Sequence, residues 1–414
     1  MSPDQNLTID VFESLESLEH LRPEWNALLG EYPHSTIFSS YEWLVPWWRA
    51  FGASNRLLVL AFRDSSSALV GLAPLALTDR KSFPFRLRLL RLMGDGSHDS
   101  DNLDLLVKPG FEQRFAESLL HFLEGQRASW DFGEFNTMPP QSPGADALRQ
   151  LFGQKKWVAI EKRMPASAIP LPGTWEEYLQ VLSAKERGKV AYYSKRLEKK
   201  YKAHFYRCES ESELPACLEA LFSLHQKRWQ STGQPGSFHS AARRGFYLDL
   251  SRVLLAQDRL EFWLLDLDGK PVAAQFGFRF GTTVSQLQEG FDREYSTDSV
   301  GYLLRARVIQ RMIAQGVRTY DFLGGEPGYK AKWGAQSGQY VDLRFARPFS
   351  AGATFLQSQH LAVQSKSWLR RNLPAAAWNA LRQINSVKAR MRGEKQPVNS
   401  AHAGTDQDTA ADGK

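Results

Sequence analysis

The sequence has little that would tie its function to a metal ion, a redox centre or a membrane span. Only two cysteines, Cys208 and Cys217, occur among its 414 residues, and their spacing fits neither a zinc site nor a redox motif. The longest apolar run, residues 68–77, is too short to cross a bilayer. We therefore expect a protein with reduced thiols, no bound metal and a cytoplasmic location.

Several common functional motifs are also missing. The chain does not open with a basic segment followed by an apolar core, so we expect no signal peptide. It contains no P-loop and no dinucleotide-binding fingerprint. Residues 95–101 are acidic, but the glycine that a calcium loop requires is absent. No convincing Cys–His or Ser–His pair indicates a covalent mechanism. These absences argue against nucleotide hydrolysis, nicotinamide chemistry and a covalent enzyme intermediate.

The positive charge of the chain is concentrated in two segments. The formal net charge is +7. Residues 185–202 contain eight basic and two acidic side chains, and residues 366–395 contain eight basic and one acidic side chain. The remainder is therefore acidic overall. Such segments favour an anionic partner, namely a membrane surface, nucleic acid or a phosphorylated substrate, although a solvated charged face is the alternative interpretation.

Residues 258–334 show the most informative order of elements. Alternating and apolar patterns predict strands over residues 259–267, 272–280 and 283–291, separated by turns. A polar loop of residues 292–299 leads into a predicted helix over residues 301–315, which Gly316 ends. A further strand is predicted over residues 317–323. This order is that of an acyl-transfer core.

The motifs in this region resemble one family. The run YDFLGGEPGYKAKWG at residues 320–334 follows a helix that opens with SVGY at residues 299–302. Together with residues 183–197, 225–238 and 38–48, they resemble the CelD/BcsL-type branch of the GNAT acetyltransferases over about 340 residues. The usual GNAT pyrophosphate signature is absent, and only Gly301 of that signature remains.

This resemblance implies a fold and a division into domains. An internal echo relates residues 56–77 to 259–280 and residues 130–134 to 320–324, unless the similarity arises by chance. We therefore expect an α/β protein with tandem GNAT-like units, as in the related Fem-type transferases. Mixed sheets would be flanked by helices, with further helices at the C-terminus. The predicted ranges are 1–165 for an N-terminal unit, 166–350 for the acetyltransferase domain, 351–392 for a basic helical extension and 393–414 for a disordered tail.

The predicted cofactor site is the start of the helix at residues 301–315. A helix N-terminus offers unpaired N–H groups and the positive end of a dipole, which together bind phosphate. We predict that Ser299, Val300, Gly301 and Tyr302 hold the diphosphate of acetyl-CoA or another acyl-CoA. An ordinary helix cap, with Tyr302 as a core aromatic, is the alternative.

The predicted catalytic groups lie on the strands around this helix. In the GNAT scheme an amine attacks the thioester directly, between two splayed strands. Glu289 or Asp321 would act as the base, and Tyr329 would protonate the thiolate. Glu326 and Lys330, in the loop after the last strand, would bind the acceptor or a phosphate. Outward-facing or capping carboxylates are the alternatives for Glu289 and Asp321.

The sequence thus predicts an N- or O-acyltransferase that acts on an amine or a saccharide. The resemblance further implies a role in exopolysaccharide or cellulose biosynthesis. Two alternatives stay open: a Fem-type transferase that uses aminoacyl-tRNA, and a non-catalytic scaffold of a polysaccharide synthase. Residues 355–392 combine apolar and basic side chains, so they also predict peripheral contact with the inner face of the membrane.

Overall fold

The computed structural model describes residues 7–82, 85–97, 99–230, 236–325 and 328–372. Within them, thirteen strands form one mixed sheet. The strands are β1 Thr8–Phe12, β2 Asn55–Arg63, β3 Leu69–Ser82, β4 Phe85–Leu92, β5 Leu106–Val107, β6 Phe132–Met138, β7 Val158–Pro170, β8 Ala203–Arg207, β9 Leu260–Leu267, β10 Lys270–Phe280, β11 Thr283–Phe291, β12 Thr319–Gly324 and β13 Gln336–Ala346.

Helices cover both faces of this sheet. They are α1 Leu15–Glu19, α2 Arg22–Glu31, α3 Tyr41–Phe51, α4 Glu112–Gly125, α5 Pro143–Gln154, α6 Trp175–Val181, α7 Ala184–Lys200, α8 Leu214–Gln230, α9 Ala241–Ala256, α10 Val300–Ala314 and α11 Ala351–Asn372. The strands and the helix predicted between residues 259 and 323 are all present, with bounds that differ by at most two residues. An α/β fold with a mixed sheet is confirmed.

The order of strands has an approximate twofold pattern. It runs β1-β2-β3-β4-β6-β13-β7-β12-β11-β10-β9-β8, with β5 paired to β3. We call β1–β7 with α1–α5 the N-terminal half, and β8–β13 with α6–α10 the C-terminal half. Counted from its edge of the sheet, each half begins with four antiparallel strands. The fifth strand, β6 or β12, follows the fourth after a crossover that contains a helix. The two halves are therefore built on the same plan, as the internal echo in the sequence predicts.

The two halves exchange their last strands at the centre of the sheet. β13 pairs with β6 and β7, and β7 pairs in turn with β12. β13, the last strand of the C-terminal half, thus lies between β6 and β7 of the N-terminal half. β7, the last strand of the N-terminal half, lies in turn between β13 and β12 of the C-terminal half. The domain boundaries predicted from the sequence stay predictions, and the one between residues 165 and 166 falls within β7.

Each half contains one pair of parallel strands that separates after three residue pairs. In the N-terminal half these strands are β4 and β6, with Arg91 opposite Glu134 as the last pair. In the C-terminal half they are β11 and β12, with Ser285 opposite Asp321 as the last pair. We call these openings the N-terminal fork and the C-terminal fork. Crossovers that contain α4 and α10, respectively, connect the strands of each fork.

α10 packs its apolar side against the sheet of the C-terminal half. Leu303, Leu304, Val308 and Ile309 are all buried, as the helical spacing predicts. Gly316, with φ of +77°, follows the helix in the left-handed region that glycine adopts without strain. The C-terminal half thereby holds the start of α10 beside the open end of its fork.

α11 joins the sheet only through its first turns. Ala353, Phe355 and Leu356 are buried against the sheet, whereas Leu361 and Trp368 are exposed. The predicted helical extension beyond residue 372 and the predicted disordered tail at residues 393–414 lie outside the described residues. Among the residues that the structure describes, no helix has the length and hydropathy required to cross a membrane.

Candidate active site

The C-terminal fork opens between two strands that are both irregular at the point of opening. In β11, Gln286 and Gln288 oppose consecutive residues of β10, so that Leu287 has no partner in that strand. In β12, the two residues between Asp321 and Gly324 lie opposite a single residue of β7, and Leu323 among them has φ of +61°. A bulge leaves backbone groups outside the ladder and is common beside active sites. In β12, however, side chains engage these backbone groups: Asp321 accepts the N–H of Leu323, Asp101 accepts the N–H of Gly324, and Lys330 donates to the carbonyl of Gly324. Backbone groups for a ligand would therefore come from β11.

Asp321 lies at the closed end of the fork, in the last residue pair before β11 and β12 separate. The N–H of Leu323 donates to Oδ1 of Asp321 at 2.7 Å. Burial raises the pKa of Asp321 to about 6. The hydrogen bond from Leu323 lowers this pKa, and the charge of Asp101 raises it further. A carboxyl group with a pKa near 6 is ionised at neutral pH and is still basic enough to accept a proton from an amine.

Lys330 supports the bulge of β12 from within the protein. Its side chain is 5% exposed, and Nζ donates to the carbonyl oxygen of Gly324 at 2.9 Å. Burial lowers the pKa of Lys330, while Asp321 and Asp101 act in the opposite direction. The ammonium group therefore lies among backbone carbonyls and near two carboxylates, where it stabilises their ionised forms.

Asp101 is supplied to the C-terminal fork by the N-terminal half. It belongs to residues 93–104, the loop that follows β4, which we call the acidic loop. Asp101 is 3% exposed, and its Oδ2 accepts the N–H of Gly324 at 3.0 Å. The next residue, Asn102, donates to the hydroxyl of Tyr340 at 3.3 Å. Two carboxylates from different halves thus meet at the bulge of β12.

The acidic loop is fixed by contacts to both halves. In the N-terminal half, Nε1 of Trp43 donates to Oγ of Ser100 at 2.9 Å, and Nε1 of Trp47 donates to Oγ of Ser97 at 2.8 Å. In the C-terminal half, Asp99 pairs with Arg243 at 3.0 Å and accepts the hydroxyl of Tyr247 at 3.1 Å. Both indoles are buried. Their N–H groups hold the loop in place.

A buried arginine lies on the α10 side of the fork. Arg305 is 6% exposed, forms an ion pair with Glu289, and donates from Nε to Oε1 of Gln286 at 3.3 Å. Its guanidinium also lies 5.1–5.5 Å from the ring centroids of Phe322, Tyr329 and Trp333. Burial opposes the charge of Arg305, but Glu289 and the neighbouring tyrosines outweigh it, so the pKa of Arg305 is raised.

This arrangement bears on the two residues predicted to move protons on that side. Glu289 accepts a hydrogen bond from Nε2 of Gln286 at 2.9 Å in addition to its ion pair with Arg305. Tyr329 packs with its ring over the same guanidinium and against Phe322. Both side chains therefore contact the charged centre of the α10 side, whereas the charge of Asp101 from the opposite half acts on Asp321 and Lys330.

The start of α10 lies beside α7. Ser299 has φ of +51° and precedes the first turn, and a Cβ added to Gly301 would lie 3.1 Å from the ring of Phe291. The hydroxyl of Tyr302 donates to Oε2 of Glu186 at 3.1 Å, and its ring lies 4.4 Å from that of Trp333. Packing against Phe291 is therefore one reason for a glycine at position 301.

Asp298 binds the basic face of α7 to the start of α10. Its carboxylate accepts from Arg196 at 2.7 Å, and from Lys200 and Tyr201 at 2.9 Å each. Burial acts to raise the pKa of Asp298, but these hydrogen bonds outweigh it and the pKa is lowered. Two of the basic residues noted in the sequence are thus engaged within the protein. By contrast, Lys195, Lys199 and Lys202 are exposed.

The structure brings most of the predicted site residues to one region but divides them between two sides of the fork. Glu326 lies outside the described residues. Sequence reasoning missed Asp101 and Arg305, which complete the two sides. A charged residue on the buried face of α10 was a signal for Arg305. The acidic loop was visible too, but only as a failed calcium motif. Among the described residues, no cluster of side chains suited to a metal ion is present.

Comparison with known proteins agrees with this geometry. Residues 184–331 match the family described as the acetyltransferase (GNAT) domain. The match spans α7 to β12, and so includes the C-terminal fork and α10. The chain therefore contains a GNAT acetyltransferase domain and is an acyltransferase. No curated protein sequence matches the chain.

Solved structures show a similar fold at low sequence identity. FemX is 12% identical with a TM-score of 0.55, and the match covers 81% of this chain and 96% of that chain. A conserved protein of unknown function from Bacteroides thetaiotaomicron VPI-5482 is 13% identical with a TM-score of 0.50, covering 82% of this chain and 99% of that chain. At such identities the likeness concerns the fold alone.

Proposed function

We propose that the protein transfers an acyl group from acyl-CoA to an amine or a sugar hydroxyl in the C-terminal fork, by direct attack on the thioester. The observation that carries this proposal is the opening between two bulged strands, with a carboxyl group of pKa about 6 at its base. A reaction of this kind needs donors for the carbonyl oxygen and a base for the nucleophile, and no covalent intermediate.

The donor would lie with its thioester between β11 and β12. The bulge at Leu287 frees backbone polar groups of β11, and an N–H among them could polarise the thioester carbonyl. The first turn of α10, from Ser299 to Tyr302, would hold the diphosphate through the N–H groups that follow Ser299, since the N–H of Ser299 itself donates to the carbonyl of Ser296 at 3.1 Å. These features fit acyl-CoA, which supplies the acyl group and whose thiolate departs. Tyr329 is the group we expect to protonate that thiolate.

Asp321 is our preferred base. Glu289 is engaged by Arg305 and Gln286, so it would have to leave an ion pair before it could accept a proton. Asp321 instead has a pKa near 6 and a second carboxylate close by. The amine would approach from the side of the acidic loop. There the charge of Asp101 favours a cationic acceptor, and Lys330 lies near Asp321. The role of Glu326 in binding the acceptor stays a prediction from the sequence.

Hydrogen exchange with and without acetyl-CoA or a longer acyl-CoA tests this proposal. We expect slower exchange at residues 286–303 on addition of the thioester, and no change at the N-terminal fork. Ligand at a hundred times its Kd should also stabilise the fold by about 2.7 kcal/mol. Thermal stabilisation without protection at residues 286–303 would place the donor elsewhere. The absence of both effects would contradict acyl-CoA as the donor.

A second donor is aminoacyl-tRNA. The exposed Lys195 and Lys199 on α7 and Lys202 just after it favour this alternative, because they form a basic surface next to α10. Binding of a tRNA would then weaken steeply with salt, and replacing these three lysines with glutamine would flatten that dependence. Unchanged binding after the replacement would remove this alternative.

The wider role suggested by the resemblance is a further part of the proposal. It would place the reaction in exopolysaccharide or cellulose production, with α11 contacting a membrane or a polysaccharide synthase. The exposed Leu361 and Trp368 on α11 support such a contact. Replacing both with serine should reduce binding to anionic lipid vesicles. Undiminished binding would argue against a membrane role for α11.

A further inference from the structure

A groove of about 600 Å³ lies on the outer side of α10, next to the edge of the sheet. None of its lining residues belongs to the C-terminal fork. The lining residues come from β8 and the loop after it, from β9 and from the second half of α10. They are Phe205, Tyr206, Arg207, Glu209, Trp263, Arg307, Gln310, Arg311 and Ala314. Since β8 is the last strand of the sheet, the groove is open on that side.

The groove has an aromatic side. β8 and β9 are antiparallel, with Arg207 opposite Trp263 and Phe205 opposite Leu265, so Phe205 and Trp263 lie on the same face of the sheet. Nε1 of Trp263 donates to Oε2 of the buried Glu261 at 2.9 Å, which fixes the orientation of the indole. Rigid aromatic faces of this kind stack well on other planar rings.

The opposite side is cationic. Arg307 and Arg311 lie one turn apart on α10, and both line the groove. Arg311 is exposed and forms no ion pair with any carboxylate in the part of the chain that the structure describes. Arg307 is 3.5 Å from Glu198, which is itself 66% exposed, and its guanidinium lies 5.6 Å from the centre of the Phe205 ring. An exposed pair such as this is weak, so Arg307 can exchange it for a stronger anion.

The remaining arginine of the groove has a different role. Arg207 has carboxylates of Asp258 at 3.3 Å, Glu209 at 3.6 Å and Glu261 at 3.8 Å. Its charge is therefore balanced within the protein. The less compensated charge lies on α10, where Arg307 has the exposed Glu198 and Arg311 has no carboxylate partner among the described residues. The groove thus combines a flat apolar surface with two guanidinium groups spaced one helical turn apart.

We propose that this groove binds a nucleoside phosphate. The base would stack against Trp263, because the guanidinium of Arg307 already lies over the ring of Phe205, and the phosphate would lie between Arg307 and Arg311. Guanidinium groups bind phosphate through charge-assisted hydrogen bonds and also stack on rings. The amide of Gln310 and the carboxylate of Glu209 are placed to hydrogen-bond the base edge or the ribose. The volume falls within the roughly 300–1,000 Å³ of ordinary small-molecule sites.

Isothermal titration of the full chain with AMP, UMP, adenosine and inorganic phosphate tests this inference. We expect one molecule of AMP or UMP per chain, with phosphate alone and adenosine alone each binding at least about tenfold more weakly. Arg311→Gln and Arg307→Gln should each weaken nucleotide binding about tenfold or more. The control is Arg252→Gln, since Arg252 is an exposed arginine of α9 that does not line the groove. All variants should keep the melting temperature of the parent.

The inference is independent of the proposed acyl-CoA site, and the titration separates the two. Nucleotide that binds in the groove still binds when acetyl-CoA is saturating. Nucleotide that is displaced by acetyl-CoA and is indifferent to Arg307→Gln and Arg311→Gln occupies the C-terminal fork, and this result would overturn the groove assignment. Failure of both nucleotides to bind at about 5 mM, well above the usual range for specific small-molecule sites, would overturn it as well.

Discussion

The two forks of the sheet share a backbone plan but differ in the side chains at their base. In the N-terminal fork, β6 has its irregularity between Phe135 and Met138, where Thr137 has φ of +52°. In the C-terminal fork, β12 has its irregularity between Asp321 and Gly324, where Leu323 has φ of +61°. The last residue before the irregularity is therefore Phe135 in one half and Asp321 in the other. The backbone geometry alone does not make a reactive site.

The N-terminal half nevertheless contributes a side chain to the active site that we propose. Phe135 is fully buried among aromatic side chains, including Phe345 at 5.0 Å. The loop after β4, by contrast, reaches into the other half and places Asp101 at the bulge of β12. The N-terminal fork is therefore packed as core at Phe135, whereas the acidic loop beside it forms part of the C-terminal fork. Four predictions test this division of roles.

The largest effect is expected from Asp321→Asn. If Asp321 is the base, kcat/KM should fall about a thousandfold, since general base catalysis contributes roughly 10²–10⁴. The N-terminal fork offers a matched control: Asp342 accepts the N–H of Thr137 at 2.9 Å, as Asp321 accepts that of Leu323. Asp342→Asn should leave kcat/KM unchanged. Equal losses in both variants would mean that Asp321 acts only through the backbone.

The next effect concerns the buried ion pair of the C-terminal fork. Arg305→Met should lower the free energy of unfolding by about 3 kcal/mol, because it removes the buried guanidinium with which Glu289 pairs. The double variant Arg305→Met with Glu289→Gln should be more stable than the single one. In the N-terminal fork, Arg344 pairs with Glu134 at 3.2 Å but is 38% exposed, so Arg344→Met should cost less than about 1 kcal/mol. Urea unfolding measures all three, and a double variant no better than the single one would refute the coupling.

A smaller effect should appear in the pH dependence. Because the pKa of Asp321 lies near 6 and the ionised form accepts the proton, kcat/KM should rise with pH and level off above pH 7. At pH 5 the rate should be about one tenth of its plateau. Asp342→Asn should retain this profile, whereas the residual activity of Asp321→Asn should lose the inflection near pH 6. An inflection that persists in Asp321→Asn would assign it to another group.

The smallest effect tests the acidic loop. Trp43→Phe removes the hydrogen bond to Ser100 and should cost about 1 kcal/mol of stability. It should also raise KM for the acceptor, because the loop that carries Asp101 is held less firmly. Trp130→Phe is the control, since Nε1 of Trp130 donates to the carbonyl of Leu123 at 3.0 Å, within the N-terminal half. It should cost similar stability without changing KM. A rise in KM in both variants would point to a general loss of packing.

The elements of the C-terminal half could be predicted from the sequence because their signals are local. Turn residues, alternation and helical spacing are each read within a dozen positions, and they located β9 to β12 and α10. The exchange of β7 and β13 could not be predicted in this way. Strand pairing between residues that are about 170 positions apart leaves no local pattern, so the centre of the sheet required the structure.

The candidate site shows the same limit. The motif around Asp321, Tyr329 and Lys330 was found because its residues are close in sequence and resemble a family. Asp101 lies more than 200 positions from Gly324, which it contacts, so no spacing within the motif indicates it. Arg305 was hidden in a helix whose apolar pattern is otherwise regular. Asp101, which acts across the two halves, is therefore the residue that no local pattern in the sequence could reveal.

The exchange of β7 and β13 also determines when the centre of the sheet can form during synthesis. β7 is complete at Pro170, but β13, which separates it from β6, ends only at Ala346. At about 5–20 residues per second, the edges of β6 and β7 wait roughly 10–35 seconds for their partner. During that interval the nascent chain carries two open strand edges at the centre of its future sheet. A chaperone that covers exposed strands would have its longest opportunity there, and a slower codon run before residue 336 would prolong the risk of aggregation.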